Sequence, residues 1–550
     1  NGLGVLGENN IFMNLLSGVE ITTGGNPTLR CNTIRDGRSN GVTVANDGQG
    51  VLEENEIRAN HDAGILITTG GNPVLRLNKI HLGISCGIEV ADSGKGTIDD
   101  NDICENAGAC VMIKSEGNPV VCNNRIFDGK SVGVLVTAAG LGEITKNDIH
   151  HNQEAGVVSE ALAKPVVHSN QIHHMHGHGV CVRNDGLGDI CENNIHDNEE
   201  AGIAVSSGST PEFKDNSVSA NALAGIQVSD RGMGKFVINK VFANVGPGLL
   251  ITSHGNPTLQ KNTFFDGEAS GVMVAHQGLG LLEENEIFAN EVAGICIATE
   301  GNPVVTNNNI HDSKGSGVLV QDEGQGVFEK NTISKSALAG VEIMTGGKPQ
   351  ITSNDIFGSG QAGVHVHTDG EGLVEKNEIH ANSLAGVEIR NGGNPTLKDN
   401  HIFEGKESGV YIHSQGRGVL SANNIEQNAL SGLEVKGANS NPTVTGNKLH
   451  SNNGNGLAVH DHGAGVFKEN DICSNSMANV KIRSQGNPEL HGNRIHSSKR
   501  AGVYVFNNGL GLFDGNDIHS NELAGFSVKT GGNPSVFRNQ IHGGLRSGGG

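Results

Sequence analysis

Apolar residues recur along this chain in short runs of period two, broken at regular intervals by glycine and asparagine. Runs such as Gly41-Val42-Thr43-Val44 and Gly64-Ile65-Leu66-Ile67 predict strands, because apolar and polar positions alternate instead of following helical spacing. The runs share one period. An asparagine stands at Asn9, Asn32, Asn55, Asn78, Asn101, Asn124 and Asn147 and continues every 23 residues to Asn423. After one inserted residue it resumes at Asn447 and runs to Asn539, giving 24 occurrences without a miss. Two positions beyond each stands an apolar residue (Ile11, Ile34, Ile57, Ile80), with Val218, Val241, Phe264 and Leu449 as the only departures from isoleucine. Three further columns are apolar: the residue after a glycine (Val42, Ile65, Ile88), the one two further on (Val44, Ile67, Val90), and the one three before the asparagine (Leu29, Leu52, Leu75). Each period therefore turns about four apolar residues inward from three short strands.

A fixed period of this length marks a solenoid, whose repeats bury their apolar faces only against neighbouring repeats. The fold class expected is all-β: a right-handed, single-stranded parallel β-helix of about 24 coils, roughly 115 Å long at about 4.8 Å per coil. The asparagine column is expected to be a structural ladder, each side chain bonding to its counterparts above and below. A glycine column (Gly18, Gly41, Gly64), broken only at Cys110 and Asn479, fits a corner needing positive φ. Coils also alternate in type, one entering through Gly-Asn-Pro (Asn26-Pro27, Asn72-Pro73) and the next through Gly-X-Gly (Gly48-Gln49-Gly50), giving a 46-residue unit. No helix follows these Gly-X-Gly turns, so they are not nucleotide loops.

Length alone would allow about three or four domains. The unbroken period argues instead for one continuous domain over residues 1–550, a piece of a longer chain, since it starts within a coil and neither end reads as a polar cap. A formal charge of −21 argues against nucleic acid and anionic membranes as partners, and no apolar run suits membrane insertion. Nine cysteines are scattered, with only Cys86 and Cys110 spaced to bridge adjacent coils. Free thiols, and the lack of an Asn-X-Ser/Thr sequence other than with proline at X, lean towards an intracellular chain.

The stretch from Gly25 to Gly37 (Gly-Asn-Pro-Thr-Leu-Arg-Cys-Asn-Thr-Ile-Arg-Asp-Gly), with Gly50 to Ile57 and Ala63 to Gly70, resembles the β-helix of the F-box-only proteins that recognise ubiquitylation substrates. The resemblance covers nearly the whole chain, though no F-box precedes the repeats and no zinc finger follows them. It implies a non-catalytic, protein-binding β-helix without cofactors, the substrate-recognition part of a ligase adaptor. A scaffold rod within a larger assembly is the alternative, and a carbohydrate-active β-helix enzyme a second.

Three sets of outward residues carry candidate chemistry. Between the two inward residues of the strand after the glycine lie Met112, Leu135, Val158, Cys181, Ala204, Gln227, Leu250, Met273, Cys296 and Leu319. Apolar residues on a face that should be polar predict a docking surface for a protein partner or a neighbouring subunit. Further on the column turns polar: Glu342, His365, Glu388, Tyr411 and Glu434, beside His367, Arg390, His413, Lys436, His460 and Arg483. Glu388 and Glu434, two coils or about 9.6 Å apart, with His413 between, form the best enzyme-like pair, near the upper carboxylate spacing of an inverting glycosidase. A surface ladder of ion pairs, as expected for Arg30, Glu53, Arg76 and Asp99, is the simpler reading of them, since the chain has no Trp and little aromatic surface to stack sugar rings. The histidine-rich coils place His150, His173 and His196 in one column and His151 and His174 in another. Metal binding by His150, His173, His174 and His196 is weighed there against a stacked aromatic corner.

Overall fold

The computed structural model of the chain describes residues 2–544, and among these there is strand, turn and bend but no helix. Each coil carries three short strands, typified by Val42–Val44, Val51–Glu53 and Glu56–Arg58, here termed first, second and third. Alternation works as the columns require: Val42 and Val44 are fully buried while Thr43 between them is half exposed. Within each of the chain's two units, strands pair in parallel with their counterparts one coil on, as in Val42↔Ile65, Val51↔Val74 and Glu56↔Lys79. Leu29, Leu52, Ile57 and Ile65 lie in the core with no exposed surface.

The chain divides into two compact units, Asn1–Ala269 with Gly278–Leu281, and Ser270–Gln277 with Leu282–Gly550. Both are parallel β-solenoids. In the first, first strands run from Val19–Ile21 to Leu249–Ile251, and in the second from Val272–Val274 to Phe526–Val528.

The asparagine column is a continuous ladder within each unit. In the first it includes Asn32, Asn55, Asn78, Asn101, Asn124 and Asn147. Asn55 is typical: its Nδ2 donates to Asn78 Oδ1 at 2.9 Å and to Leu29 O at 2.9 Å, while its Oδ1 accepts from the backbone of Asn32 at 2.9 Å. A buried polar corner is thereby satisfied at every coil. The inserted residue is absorbed at the turn Gly437–Asn441, where Ser440 Oγ donates to Lys436 O at 2.8 Å, and the ladder passes from Asn423 to Asn447 at 2.8 Å. A second, interrupted ladder stands five residues on and is unheralded by the sequence columns. It links Asn198, Asn221 and Asn244, and Asn428, Asn452 and Asn475.

The glycine column is not a positive-φ corner: Gly18, Gly41 and Gly64 are absent from the left-handed region. Close approach requires them instead. A Cβ on Gly41 would lie 2.6 Å from Gly64 O and 2.9 Å from Ile57 Cγ2. In most coils it would also strike the second ladder, as Gly87 would strike Asn106 Nδ2 at 2.7 Å. That explains both exceptions. Beside Cys110 the second-ladder position is Gly129, and Cys110 Sγ fills the vacated space and reaches Asn152 Oδ1 at 3.8 Å. Beside Asn479 it is Ser498, and Asn479 accepts from Asn475 at 2.9 Å and donates to Asn521 at 3.3 Å. Cys86 and Cys110 are both free thiols, because Cys86 Sγ faces Met112 Sδ at 4.0 Å while Cys110 turns to Asn152.

Positive φ does decide the alternation of coil types. The last glycine of each Gly-X-Gly turn has φ from +107° to +145°, as at Gly50, Gly96, Gly142 and Gly188, which only glycine adopts freely. The equivalent residue in the coils between is proline, and twelve of the thirteen prolines occupy this column. The two pack on each other: a Cβ on Gly96 would lie 2.8 Å from Pro73 O.

Candidate functional site

The apolar stripe on the first strands is less exposed than alternation predicts. In the first unit Val158, Cys181 and Ala204 are 1%, 7% and 8% exposed, packed with Val132 and Ala155 from the preceding corner into a small cluster that Leu135 flanks. Cys296, in the second unit, is 5% exposed. Only Met112, Leu135, Gln227 and Leu250 in the first unit, and Met273 and Leu319 in the second, remain half-buried. The expected docking surface is therefore interrupted at Val158, Cys181 and Cys296, whose side chains are buried.

The histidine columns stack as rings. His150 lies over His173 at 5.3 Å, His173 over His196 at 5.0 Å, and His151 over His174 at 5.2 Å, with Phe127 continuing the stack at 5.2 Å. Faces meet, while nitrogens are engaged elsewhere: His173 Nε2 with Asp148 Oδ1 at 3.0 Å, His173 Nδ1 with His174 Nδ1 at 2.7 Å, and His196 Nδ1 with Asp197 at 2.6 Å. His150, His173, His174 and His196 thus stack as an aromatic corner, in which the Nδ1 atoms of His173 and His174 face each other as a pair.

In the second unit the polar column has the register expected, with His365, Glu388, Tyr411 and Glu434 on successive first strands. Each carboxylate is held by a histidine from the next coil. Glu342 accepts from His367 Nε2 at 3.0 Å, Glu388 from His413 Nε2 at 2.9 Å, and Glu434 from His460 Nε2 at 3.0 Å and Ser408 Oγ at 2.8 Å. Burial pushes the Glu388 carboxyl up, but the His413 hydrogen bond and the charges of His365 and Arg390 outweigh it and hold it below its ordinary value. Glu434 behaves alike, burial being outweighed by His460 and Ser408. Neither carboxyl is raised, whereas the acid of a glycoside hydrolase is a carboxyl held above its ordinary value.

Beyond Glu434 the same column runs on as Ala458, Lys481, Tyr504 and Ser527, and here it floors a groove of about 970 Å³. One wall is His460, Arg483, Phe506 and Lys529; the other is Leu430, Met477, Arg500 and Leu523, carried on the corner before each first strand. Tyr504 stacks on Phe506 at 4.5 Å with the rings 12° apart, and Lys481 Nζ lies 5.9 Å from the Phe506 centroid. Burial, with Arg483 alongside, holds the Lys481 ammonium below its ordinary value. Among the described residues, none of Lys481, Arg483, Arg500 and Lys529 forms a salt bridge, whereas in the first unit Arg30 and Arg76 both pair with Glu53. Sequence reasoning reached His460 and Arg483 but missed Lys481, Arg500, Tyr504, Phe506 and Lys529. Following the outward column past the inserted residue would have found Lys481 and Tyr504.

Residues 17–161, 123–264, 163–304, 247–356, 293–449, 342–477 and 431–549 each match the family described as the right-handed β-helix region. No curated protein matches the sequence. Solved structures with some likeness include the A-module of Azotobacter vinelandii mannuronan C-5 epimerase AlgE6, at 17% identity and TM-score 0.32 over 66% of this chain and 91% of that one. A mutant of the PL6 family alginate lyase AlyGC aligns at 12% identity and TM-score 0.31 over 99% and 96% of the two chains. A hyper-glycosylated TibA fragment aligns at 12% identity and TM-score 0.31 over 64% and 97%. Likeness at this level speaks for neither activity nor substrate.

Proposed function

This chain belongs to the right-handed β-helix family, and from that premise we propose that it is a binding solenoid whose groove over residues 430–529 takes an extended, carboxylated glycan. One observation carries the reading: in a chain of net charge −21, four cations without salt-bridge partners gather around a stacked tyrosine and phenylalanine. Unpaired guanidinium and ammonium groups recognise carboxylates, and aromatic faces take the apolar faces of sugar rings. An acidic peptide fits less well. Backbone groups of the floor strands are consumed in coil-to-coil pairing, so a peptide strand would find no ladder to join.

Binding is the role proposed, and Glu388 and Glu434, each held below its ordinary value against burial by its histidine partner, do not favour the carbohydrate-hydrolase alternative built on that pair. A protein-capturing role, which the resemblance to F-box-only proteins implies, ranks second because burial breaks its expected stripe at Val158, Cys181 and Cys296. Titration calorimetry of the full chain with carboxylated oligosaccharides, their neutral counterparts and an acidic peptide decides between these. Binding confined to the carboxylated glycans, and abolished by Lys481→Glu with Arg483→Glu, is the expected result. Equal binding of the neutral sugars, or a variant that binds unchanged, would exclude the groove.

A further inference from the structure

The tripeptide Asp-Ile-Cys occurs three times, at 102–104, 189–191 and 471–473. On a strand its first and third side chains point to the same face, offering a carboxylate and a thiol side by side. What the next coil adds differs. Above Cys104 stands Phe127, above Cys191 stands Lys214, and above Cys473 stands His496.

At the third copy the imidazole leans diagonally back over the strand below. His496 Nε2 lies 2.9 Å from Asp471 Oδ1, and ligand atoms of Asp471, Cys473 and His496 all lie within 4.8 Å of one another. The ring is fixed on two sides: its Nδ1 lies 3.0 Å from Ser497 Oγ, and His519 stacks on it at 4.8 Å with the rings 3° apart. An outer partner on the second nitrogen is the usual support of a metal-bound histidine. Cys473 is 7% exposed, whereas Asp471 reaches solvent, so the cluster has a buried sulfur and an open side.

We propose that Asp471, Cys473 and His496 form a binding site for a zinc-class divalent ion, with three protein ligands and solvent at the open position. The donor set of one thiolate, one imidazole and one carboxylate is what zinc takes, at about 2.0–2.3 Å per ligand, and what magnesium and calcium do not. On binding, the ion takes the place of the hydrogen between His496 Nε2 and Asp471 Oδ1, and the Cys473 thiol releases its proton to solvent to become the thiolate ligand. A second cluster, Glu342 with His365 and His367, serves less well, because Arg390 Nε donates to His365 Nε2 at 2.9 Å and its charge opposes a cation there.

The test is titration of the reduced, tag-free full chain with Co²⁺ followed by absorption spectroscopy, then displacement by Zn²⁺. Expected is a sulfur-to-cobalt charge-transfer band saturating at a single equivalent, absent in Cys473→Ser and unchanged in Cys104→Ser. His496→Gln should keep the protein folded by circular dichroism and weaken cobalt binding at least about tenfold. No charge-transfer band, or a band that survives Cys473→Ser, overturns the site.

Discussion

Asn216 shows what one carboxamide does in this fold. Its Oδ1 accepts from the backbone and side chain of Asn193, both at 3.0 Å, and its Nδ2 donates to Ile190 O at 3.0 Å and Asn239 Oδ1 at 2.9 Å. Asn216→Ala leaves buried donors and acceptors of the two flanking coils unmatched, each worth about 1–3 kcal/mol. Urea unfolding is expected to show a loss on the order of 3 kcal/mol. Cys110 and Gly129 offer a sharper test, since each occupies space the other leaves. Gly129→Asn alone collides with Cys110 Sγ, and Cys110→Gly alone opens a void. Made together they regenerate the usual arrangement of glycine beside ladder asparagine, so a double-mutant cycle should show a favourable coupling of roughly 1–3 kcal/mol. Titration supplies a third check at His365, 4% exposed, whose ring burial pushes down to about 4 from 6.5; Glu388 and Glu342 oppose the shift while His367 and Arg390 reinforce it. A histidine depressed in the fold takes up its proton more readily when unfolded, so its contribution is whole above about pH 6.5 and is lost as pH falls towards 4. Glu342, Glu388 and Glu434, held below their ordinary 4.5, weaken the fold in the same direction but at lower pH. His365→Gln should therefore flatten the stability profile between pH 6.5 and 4 and leave its lower limb in place.

Among elements, the first strand departs most from simple alternation. At Val158 its outward residue is covered, packed with Ala155 and Val132 and with Cys181 and Ala204 of the following coils. Val158→Glu should therefore unfold its coils, whereas Leu135→Glu, half-buried at the edge of the cluster, should be tolerated; thermal melts of the two variants check this. The strands, their register, their inward residues and the asparagine ladder were all legible in the sequence, because repetition averages away local ambiguity and leaves only columns. The groove was not. Its depth depends on how high Leu430, Met477, Arg500 and Leu523 stand above Lys481 and Tyr504, and corner height is invisible to a count of apolar positions. The glycine column was located correctly and explained wrongly for a similar reason: its cause is the close approach of the neighbouring coil, through its backbone oxygen, its isoleucine and in most coils its ladder asparagine, not the torsion of its own backbone.

For the molecule as a whole, charge and repetition set the behaviour. A net charge of −21 with a local cluster of cations implies that ligand capture in the groove is salt-dependent, since exposed charges are screened over about 8 Å at physiological ionic strength. Raising salt should weaken glycan binding of the natural chain, and less steeply that of Arg483→Glu, which keeps only Lys481, Arg500 and Lys529 of the four cations. Because each coil in a unit leans only on its neighbours, damage stays local. Asn354→Ala should speed hydrogen exchange at amides near Asn331 and Asn377 while those near Asn493 stay protected. The alternation of proline and glycine at the coil entrance constrains how such a chain can change length. Excising 23 residues would set proline upon proline or glycine upon glycine, whereas excising 46 restores the natural sequence of corners. Shortened or lengthened versions should therefore be viable in steps of two coils, and a lineage built this way would grow by even numbers.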